Sequence, residues 1–529
     1  MMNIMVKSIK KRDGRIVLYD ESKIASAVLK AMKAAGEGDA TDAAQVANDV
    51  HMELEKLPED MPPQIEQVQD AVERELMKNG FEQSAKKFIL YRAKRTNIRE
   101  ANTSLMRTID EITNVDARLS DMKRDNANID GNTSMGSMLQ IGAAGAKSYN
   151  AAYLLTEEQA KAYLNGDIHI HDFDFYSLTT TCTQIDIVRL FKGGFSTGHG
   201  VIREPQSIHS YAALAAIAIQ SNQNDQHGGQ SIPNFDYGLA KGVAKTFAKL
   251  YTVKLTESLE DALESDNESE IVKEILQQAT EEFGHRPCLE KDEEAFDAFI
   301  AEELIGRCGL DTHKAKQVVA TTRRRVVRQT ENETYQAMEG FVHNLNTMHS
   351  RAGAQTPFSS INYGTDTSPE GRMVIRNVLL ATDAGLGNGE TCIFPIHIFK
   401  VKEGVNYNEG DPNYDLFRLS CKVSAKRLFP NYVFLDSPFN LQYYKPGHPE
   451  TEVATMGCRT RVIGNYCHKD KEVSYSRGNL SFTSLNLPRI AIESNHDEKV
   501  FYEKLDKMME LVAQQLYDRF EIQAKKHVY

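Results

Sequence analysis

The chain has 529 residues, of which 41% are hydrophobic and 26% charged, and its formal net charge is −12. This length exceeds one ordinary core, so we expect two or more domains or one very large α/β unit. The composition is typical of a soluble globular protein, the apolar runs are too short to cross a bilayer, and the charge does not favour binding nucleic acid. Seven cysteines without a CxxC pair argue against a disulfide framework and against a metal site in these residues, and the N-terminus lacks the apolar core of a signal peptide. We therefore expect a cytoplasmic protein with no membrane or nucleic-acid partner.

The first hundred residues are predicted to form a compact module of one hairpin and several helices. Asp13-Gly14 is a turn dipeptide between two short β-prone runs. A helix is expected from Glu21, with Asp20 as its N-cap and Gly36 at its end, and a second helical stripe begins at Ile65. Basic residues cluster at the hairpin, which would suit an anion or nucleotide, although a solvated face is the commoner meaning of such a cluster.

From about residue 100 onward, short β-prone runs alternate with long helical stretches, which indicates an α/β architecture. The runs are DIHIHDFDFYS, TQIDIV, SSINYG, CIFPIHIF and NYVFLD. A final helix is predicted to start at a capping box of Asn495 and Glu498 and to bury an apolar face that includes Phe501, Val512 and Phe520.

Cys458 lies in the stretch ATMGCRTRVIGN, which is too polar and too irregular for a core helix. A structural cysteine usually has aliphatic neighbours at helix or strand spacing, and this one does not. The stretch predicts a loop, and taken alone it would be an ordinary turn.

Longer segments resemble one enzyme family. KKRDGRIVLYDESKI together with AKKFILYRAKR is similar to the ATP-cone, a regulatory nucleotide-binding module of ribonucleotide reductases. DGNTSMGSM, NGDIHIHDFDFYS, FNLQYYKPGHPETEVATMGCRTRV and RGNLSFTSLNLPR resemble the anaerobic, class III, glycyl-radical ribonucleoside-triphosphate reductases. The resemblance implies an ATP-cone over residues 1–100 and, over residues 101–529, a ten-stranded α/β barrel of the ribonucleotide reductase and glycyl-radical type.

The resemblance also implies roles for three catalytic residues. Cys458 would sit at the tip of a loop inside the barrel and, as a thiyl radical, take hydrogen from C3′ of the ribose. Cys182 would serve the opposite face of the sugar, protonating the leaving 2′-hydroxyl and then supplying reducing equivalents. Asn479 matches an amide that lies near the substrate in members that use formate as reductant. Without the resemblance, Cys182 would be a small buried hydrophobe and Asn479 a turn residue.

For the cone, the resemblance implies that Lys11, Arg12 and Lys23 contact the triphosphate of ATP or dATP bound with Mg²⁺. Gln69 and Arg95 fall, by a less close alignment, at positions that contact the nucleotide in similar cones. A helix N-terminus near Lys23 would add to the attraction for phosphate. A separate specificity site for dNTP effectors is expected at a dimer interface, near the helix that follows HGVIREPQSIHSY.

The family stores its radical on a glycine in a C-terminal loop near a four-cysteine zinc site. Neither an RVxGY motif nor paired CxxC motifs occur in the 529 residues. We therefore expect the glycyl radical and the structural zinc to belong to a region outside them, so that this polypeptide as written would bind nucleotides but not turn over. The expected partners are ribonucleoside triphosphates, formate, a radical-SAM activating enzyme and a second copy of the chain, with higher oligomers that depend on the effector.

Three other functions fit the sequence less well. A glycyl-radical enzyme of the formate-lyase type would not need the cone, and an ATP-sensing regulator would have no use for Cys182 and Cys458. A cobalamin-dependent reductase matches the long segments less well. His169, His171, Asp172 and Asp174 resemble a metal cluster at a glance, but polar packing in the core is the expected role.

Overall fold

The computed structural model describes residues 7–11, 15–57, 62–114, 133–198, 200–290, 294–351, 355–457, 460–462 and 474–526. Its contacts divide the chain into two compact units, one that runs to Asp110 and includes Ala151–Leu154, and one that holds the remainder. The expected boundary at residue 100 falls inside a single helix, Glu82–Asn114.

The first unit is a two-stranded hairpin with four helices. Its elements are β1 (Ser8–Lys10), β2 (Ile16–Leu18), α1 (Glu21–Ala35), α2 (Ala40–Leu54), α3 (Ile65–Lys78) and α4 (Glu82–Asn114). As predicted, Asp20 caps α1 through its side chain, and Gly36 ends the helix in the left-handed region at φ 70°. All four helices contribute to one shared core, which includes Val28, Val46, Val72 and Phe88.

The second unit contains a sheet of six strands, whereas the resemblance implied ten. Its order is β10-β9-β8-β7-β4-β13, in which β4, β7, β8, β9 and β10 are parallel and β13 is antiparallel to β4. Their bounds are β4 (Thr181–Gln184), β7 (His227–Ile232), β8 (Ser359–Tyr363), β9 (Ile396–Val401), β10 (Asn431–Phe434) and β13 (Gly478–Asn479). Helices connect the parallel strands, which makes the unit α/β.

The remaining strands form small separate pairs. These strands are β3 (Ile168–Ile170), β5 (Phe195–Ser196), β6 (Val201–Ile202), β11 (Ala454–Met456), β12 (Thr460–Val462) and β14 (Thr483–Leu485). The strands β11 and β12 form an antiparallel pair, called here the β11–β12 hairpin, in which Met456 faces Thr460.

The α-helices of the second unit are α5 (Ser134–Tyr149), α6 (Glu157–Asn165), α7 (Ile187–Phe191), α8 (Ile208–Asp225), α9 (Phe235–Leu263), α10 (Ser269–Phe283), α11 (Glu294–Cys308), α12 (Thr312–Thr347), α13 (Pro369–Ala384), α14 (Tyr414–Arg427), α15 (Pro438–Leu441), α16 (Leu487–Glu493) and α17 (Glu498–Ala524). Only some of them pack on the large sheet, and they do so on one of its faces. The main core joins the helix-facing residues Ile232, Ile361 and Tyr363 to α8, α9, α12 and α13. Because side chains alternate across a strand, Ser231 and Asn362 point to the opposite face, where the β11–β12 hairpin lies.

The last helix differs from its prediction. Asp497, and not Asn495, caps α17 by accepting a hydrogen bond from the backbone N–H of Val500. The buried face carries Val512, Gln515 and Arg519, while Phe520 is exposed. The helix therefore packs through a polar strip as well as an apolar one.

None of the described helices is both long enough and apolar enough to cross a membrane. Within the same residues, no three His, Cys, Asp or Glu side chains come together as they would around a metal ion. His169, expected in the core, is exposed, and His171 is partly buried with its Nε2 3.0 Å from Ser484 Oγ.

Candidate active site

Cys182 lies on β4, opposite an irregularity in the neighbouring strand. Thr181 pairs with His227 and Thr183 with Gln230, so the two glycines Gly228 and Gly229 face the single residue Cys182. This is a β-bulge, and Gly228 adopts φ +84°, where an added Cβ would lie 2.5 Å from Thr181 Oγ1. Only glycine fits that position, and the bulge turns the N–H of Gly229 towards the cysteine.

The sulfur of Cys182 is held by its neighbours. The backbone N–H of Gly229 donates to Cys182 Sγ at 3.2 Å, and Thr181 Oγ1 lies 3.8 Å from the same sulfur. Cys182 itself has φ 51°, which is uncommon for a residue with a side chain. Such outliers concentrate at functional sites, because the surrounding structure has to hold them in place.

A buried polar chain continues from Thr181. Its hydroxyl donates to Asp172 Oδ2 at 2.6 Å, and His227 Nε2 lies 3.0 Å from Asp172 Oδ1. Burial alone would raise the pKa of Asp172, but the hydrogen bond and charge of His227, with the bond from Thr181, bring that pKa below its usual value. The Asp172 carboxylate is therefore ionised at neutral pH.

Arg351 and Phe175 hold the ring of that histidine in place. The Arg351 guanidinium lies 3.1 Å from His227 Nδ1, the ring nitrogen that does not meet Asp172. The ring of Phe175 stacks on His227 with centroids 4.1 Å apart. The orientation of the imidazole beside Asp172 is thus fixed by three neighbours.

Asn479 is next to this site. It pairs with Thr181 across β13 and β4, while Gly478 pairs with Thr183, so Cys182 is the bulged residue between the two pairs. Residues directly opposite in an antiparallel pair have Cα atoms roughly 4.5–5.5 Å apart. The strand pairing thus brings the amide-bearing residue within one position of the cysteine.

Cys458 and Arg12 lie outside the described residues. Gly457, which directly precedes Cys458, is described, and a Cβ built on Gly229 would lie 3.3 Å from both the N and the Cα of Gly457. Gly229 therefore donates to the sulfur of Cys182 and leaves no room for a side chain between itself and Gly457. Cys182 and the chain leading to Cys458 thus meet at one glycine, and Asn479 is paired one position away from Cys182.

The cone residues are distributed over three elements of the first unit. Lys11 and Arg95 are exposed, Gln69 is partly buried, and Lys23 lies 3.4 Å from Asp20 with most of its side chain in solvent. The hairpin meets the start of α3, since the N–H of Lys10 donates to Pro63 O at 2.9 Å.

A groove of about 590 Å³ opens between α9, α10 and the segment that precedes α8. Its lining includes Gln206, Lys245, Lys249, Lys273 and Arg286. Lys245 is held at 2.6 Å by Glu204, and Lys249 is exposed. The groove is cationic and lies beside the segment for which an effector site was expected.

The sequence did not single out Asp172, His227, Arg351 or Asn362 as site residues. The pair Gly228-Gly229 at the start of β7 is a pattern from which the bulge could have been predicted. The contacts of Asp172 and Arg351 with His227 join segments that are far apart in the chain, and no local pattern reports them.

Two family models match the chain and together cover most of it. The family model for anaerobic ribonucleoside-triphosphate reductase matches residues 125–528, and that for the ATP cone domain matches residues 7–97. The chain belongs to the anaerobic ribonucleoside-triphosphate reductase family. It carries the family's N-terminal ATP-cone, as predicted.

Curated members of the family give the same relationship. The anaerobic ribonucleoside-triphosphate reductases of Salmonella typhimurium and Escherichia coli are 30% and 29% identical over 519 residues, which is 97% of this chain and 62% of each relative. The chain thus spans less than two thirds of the length of these reductases. The crystal structure of the anaerobic ribonucleotide reductase from Thermotoga maritima in complex with dATP and CTP aligns with TM-score 0.49 and 12% identity, covering 82% of this chain and 62% of that one.

Proposed function

We propose that this polypeptide is the substrate- and effector-binding part of a formate-dependent, glycyl-radical reductase that converts ribonucleoside triphosphates to 2′-deoxyribonucleoside triphosphates. The observation that carries the proposal is the contact of Gly229 with both the Cys182 sulfur and the backbone of Gly457. A reaction that needs one sulfur on each face of a ribose requires two thiols held across a narrow gap. Family membership supports the same chemistry.

The proposed division of the chain follows its two modules. Residues 1–100 act as the regulatory cone and residues 101–529 as the catalytic part, whose six-stranded sheet belongs to a ten-stranded barrel in the complete enzyme. The enzyme works in the cytoplasm as a homodimer that forms larger assemblies with some effectors, and a radical-SAM enzyme activates it.

In the proposed reaction, Cys458 as a thiyl radical takes the hydrogen from C3′, forming its S–H bond and leaving a substrate radical. Cys182 gives its proton to the 2′-hydroxyl, which leaves as water, and takes a proton back from the 3′-hydroxyl as that group becomes a carbonyl. Cys182 then gives a hydrogen atom to C2′, and formate returns a hydrogen atom to the sulfur. The CO₂ radical anion so formed reduces the 3′-carbonyl, which takes up one proton, and CO₂ is released. Formate supplies the two electrons and is oxidised to CO₂, so the net change is ribonucleotide, formate and a proton to deoxyribonucleotide, CO₂ and water. At the end the hydrogen returns from Cys458 to C3′.

Asn479 suits the reductant's site because a neutral amide can hydrogen-bond both a sugar hydroxyl and a small carboxylate without a competing charge. Asp172, ionised and bonded to Thr181 and His227, fixes the hydroxyl beside Cys182. A glycyl radical held outside these residues would generate the thiyl radical, and structural zinc is proposed only for that same region.

Effector control is proposed at two sites. ATP and dATP with Mg²⁺ bind the cone through Lys11, Arg12 and Lys23, with Gln69 and Arg95 nearby. The cationic groove lined by Gln206, Lys249 and Arg286 is proposed as the specificity site for other dNTPs, because its charge complements a triphosphate. A Lys249→Gln variant should bind a dNTP effector more weakly while its ATP response through the cone is retained.

The test of the reaction uses the complete, activated enzyme with ¹³C-formate and either CTP or CDP. Formation of dCTP with release of ¹³CO₂ in equal amounts is expected. Efficient reduction of CDP alone would overturn the triphosphate assignment, and dCTP formation without ¹³CO₂ would overturn formate as reductant.

A further inference from the structure

Asn362 is a fully buried amide in the middle of β8 that the reaction above does not use. Its Oδ1 accepts the backbone N–H of Thr455 at 2.9 Å, and its Nδ2 donates to the carbonyl of the same residue at 3.0 Å. The Thr455 hydroxyl donates to Oδ1 at 3.2 Å as well. One side chain therefore engages both backbone polar groups of one residue.

Ser231 completes this attachment from the neighbouring strand. Its hydroxyl donates to Thr455 O at 2.7 Å and accepts from Asn362 Nδ2 at 3.1 Å. Ser231 pairs with Ser360 in the ladder between β7 and β8, so Asn362 lies two residues further along the same face. We call Asn362 and Ser231 the amide clamp.

The clamp takes the place of a strand partner on the edge of β11 that is not paired with β12. A carboxamide has the same donor and acceptor as a peptide group, so it can bind the backbone of a strand that crosses the face of the sheet. The strand held is β11, and Thr455 precedes Cys458 by three residues. Because Gly457 follows β11 directly, the position of Thr455 on the sheet sets where Gly457 lies.

A second attachment holds the base of the hairpin. Lys400 Nζ lies 2.9 Å from Glu452 Oε2, which also accepts from Thr365 Oγ1 at 2.9 Å. Glu452 precedes β11, so this ion pair fixes where the segment enters, three residues before Thr455. Of these two attachments, the amide clamp at Thr455 is the one nearer to Cys458 in the chain.

We propose that Asn362, assisted by Ser231, is a positioning residue that sets where the β11–β12 hairpin lies on the sheet, and with it the position of Gly457, the residue before Cys458, next to Gly229. The inference rests on the proposed thiyl role of Cys458. Near-attack chemistry tolerates little misplacement, so a hairpin that loses the clamp should still bind substrate but react slowly.

The test compares Asn362→Ala and Ser231→Ala with Asn346→Ala in the complete enzyme. Asn346 is a matched control, because its amide also bonds backbone groups, those of Ile393 and Phe394, but does not touch the hairpin. Two readouts are taken: hydrogen exchange of the Thr455 amide, whose N–H meets Asn362, and steady-state reduction of CTP.

In Asn362→Ala we expect Thr455 exchange to rise at least about tenfold. We expect kcat to fall about 10- to 100-fold with KM for CTP within about twofold, since the loss is one of geometry. Ser231→Ala should give smaller changes in the same direction. If Asn362→Ala fails to fold, the exchange and the kcat of Ser231→Ala test the proposal instead.

Unchanged exchange at Thr455 would overturn the clamp, and faster exchange with normal kcat would overturn its positioning role. These outcomes differ from a failure of the proposed function, which would appear as dCTP formation by Cys458→Ser whatever the exchange at Thr455.

Discussion

The backbone N–H of Gly229 donates a 3.2 Å hydrogen bond to the sulfur of Cys182. The same glycine lies so close to Gly457 that an added Cβ would be 3.3 Å from its N and Cα. Gly229 thus donates to the Cys182 thiol and lies against Gly457, which directly precedes Cys458 in the chain. In the proposed reaction, its lack of a side chain sets the width of the gap between the two thiols.

Gly229→Ala should therefore widen that gap. A methyl group at 3.3 Å from backbone atoms and from Phe358 Cδ1 forces the hairpin turn to move by a few tenths of an ångström. We expect kcat for CTP reduction to fall about 10- to 100-fold, with the thermal midpoint little changed.

The control for this variant is Gly340→Ala, in helix α12, where nothing lies within 4 Å of the added carbon. It should keep full activity and gain slightly in stability, since alanine favours helix. Full activity of Gly229→Ala would show that the gap is not set by this contact.

The two cysteines should each be indispensable. Cys458→Ser and Cys182→Ser should abolish dNTP formation, because a serine O–H bond is too strong to be broken by a radical and a serine hydroxyl is too weak an acid to replace the Cys182 thiol as proton donor. Cys421→Ser, at an exposed cysteine, is the control and should retain activity. A Cys458→Ser rate above a tenth of normal, about 1.4 kcal/mol in the barrier, would contradict the thiyl assignment.

Local signals in the sequence predicted local structure well. Asp20, Gly36 and the pair Asn79-Gly80 mark the ends of α1 and α3 because caps and left-handed residues act within a few positions. The helix α2 was not anticipated, although Asp39 and Asp42 form a capping box there. TQIDIV was expected to be one strand, but Asp186 caps a short helix at its end.

The site was predicted only in part, and the reason is physical. Cys182, Asn479 and Cys458 were identified by resemblance, whereas Asn362, His227 and Arg519 act through contacts between distant segments. Arg519 of α17 is buried and donates to Tyr176 O at 3.1 Å and Ser481 Oγ at 2.7 Å, where a sequence pattern would place an apolar side chain. Buried polar residues of this kind depend on partners that periodicity cannot report.

Asp366 gives the fold a pH dependence. Burial, with the nearby charge of Asp236, raises the pKa of Asp366 to about 6 in the folded chain, against about 3.9 when unfolded. Because the folded state binds the proton of Asp366 more tightly than the unfolded state does, protonation of Asp366 stabilises the fold. This contribution to the free energy of unfolding is fully present below about pH 4 and is lost as the pH rises through about 6. Asp366→Asn should raise the free energy of unfolding at pH 8 by about 2 kcal/mol and change it little at pH 4.

Urea unfolding at the two pH values measures that difference. Asp266→Asn, at an exposed carboxylate, is the control and should shift neither curve. A variant of Asp366 that is less stable than the parent at pH 8 would show that its ionised form is needed for the fold.

The cone should switch the enzyme, with ATP permitting activity and dATP lowering it. Lys11 is exposed on the hairpin, and Lys23 projects into solvent from the first turn of α1, so both charges are accessible to a triphosphate. The two effectors differ by one hydroxyl, and an effector shifts an equilibrium only by its differential affinity for the two states. Coupling of this kind is typically about 1–3 kcal/mol, which is about a 5- to 150-fold effect.

Deletion of residues 1–100, assayed at rising dATP, tests the switch directly. The truncated enzyme should stay active at dATP concentrations that inhibit the parent, and Lys11→Ala and Lys23→Ala in the intact chain should each need more dATP. Lys499→Ala, an exposed lysine on α17, is the control and should respond as the parent does. If the truncated enzyme were as sensitive to dATP as the parent, the inhibitory site would lie in the catalytic part. The groove between α9 and α10 would then be tested next, because Lys249 and Arg286 in its lining could bind a triphosphate.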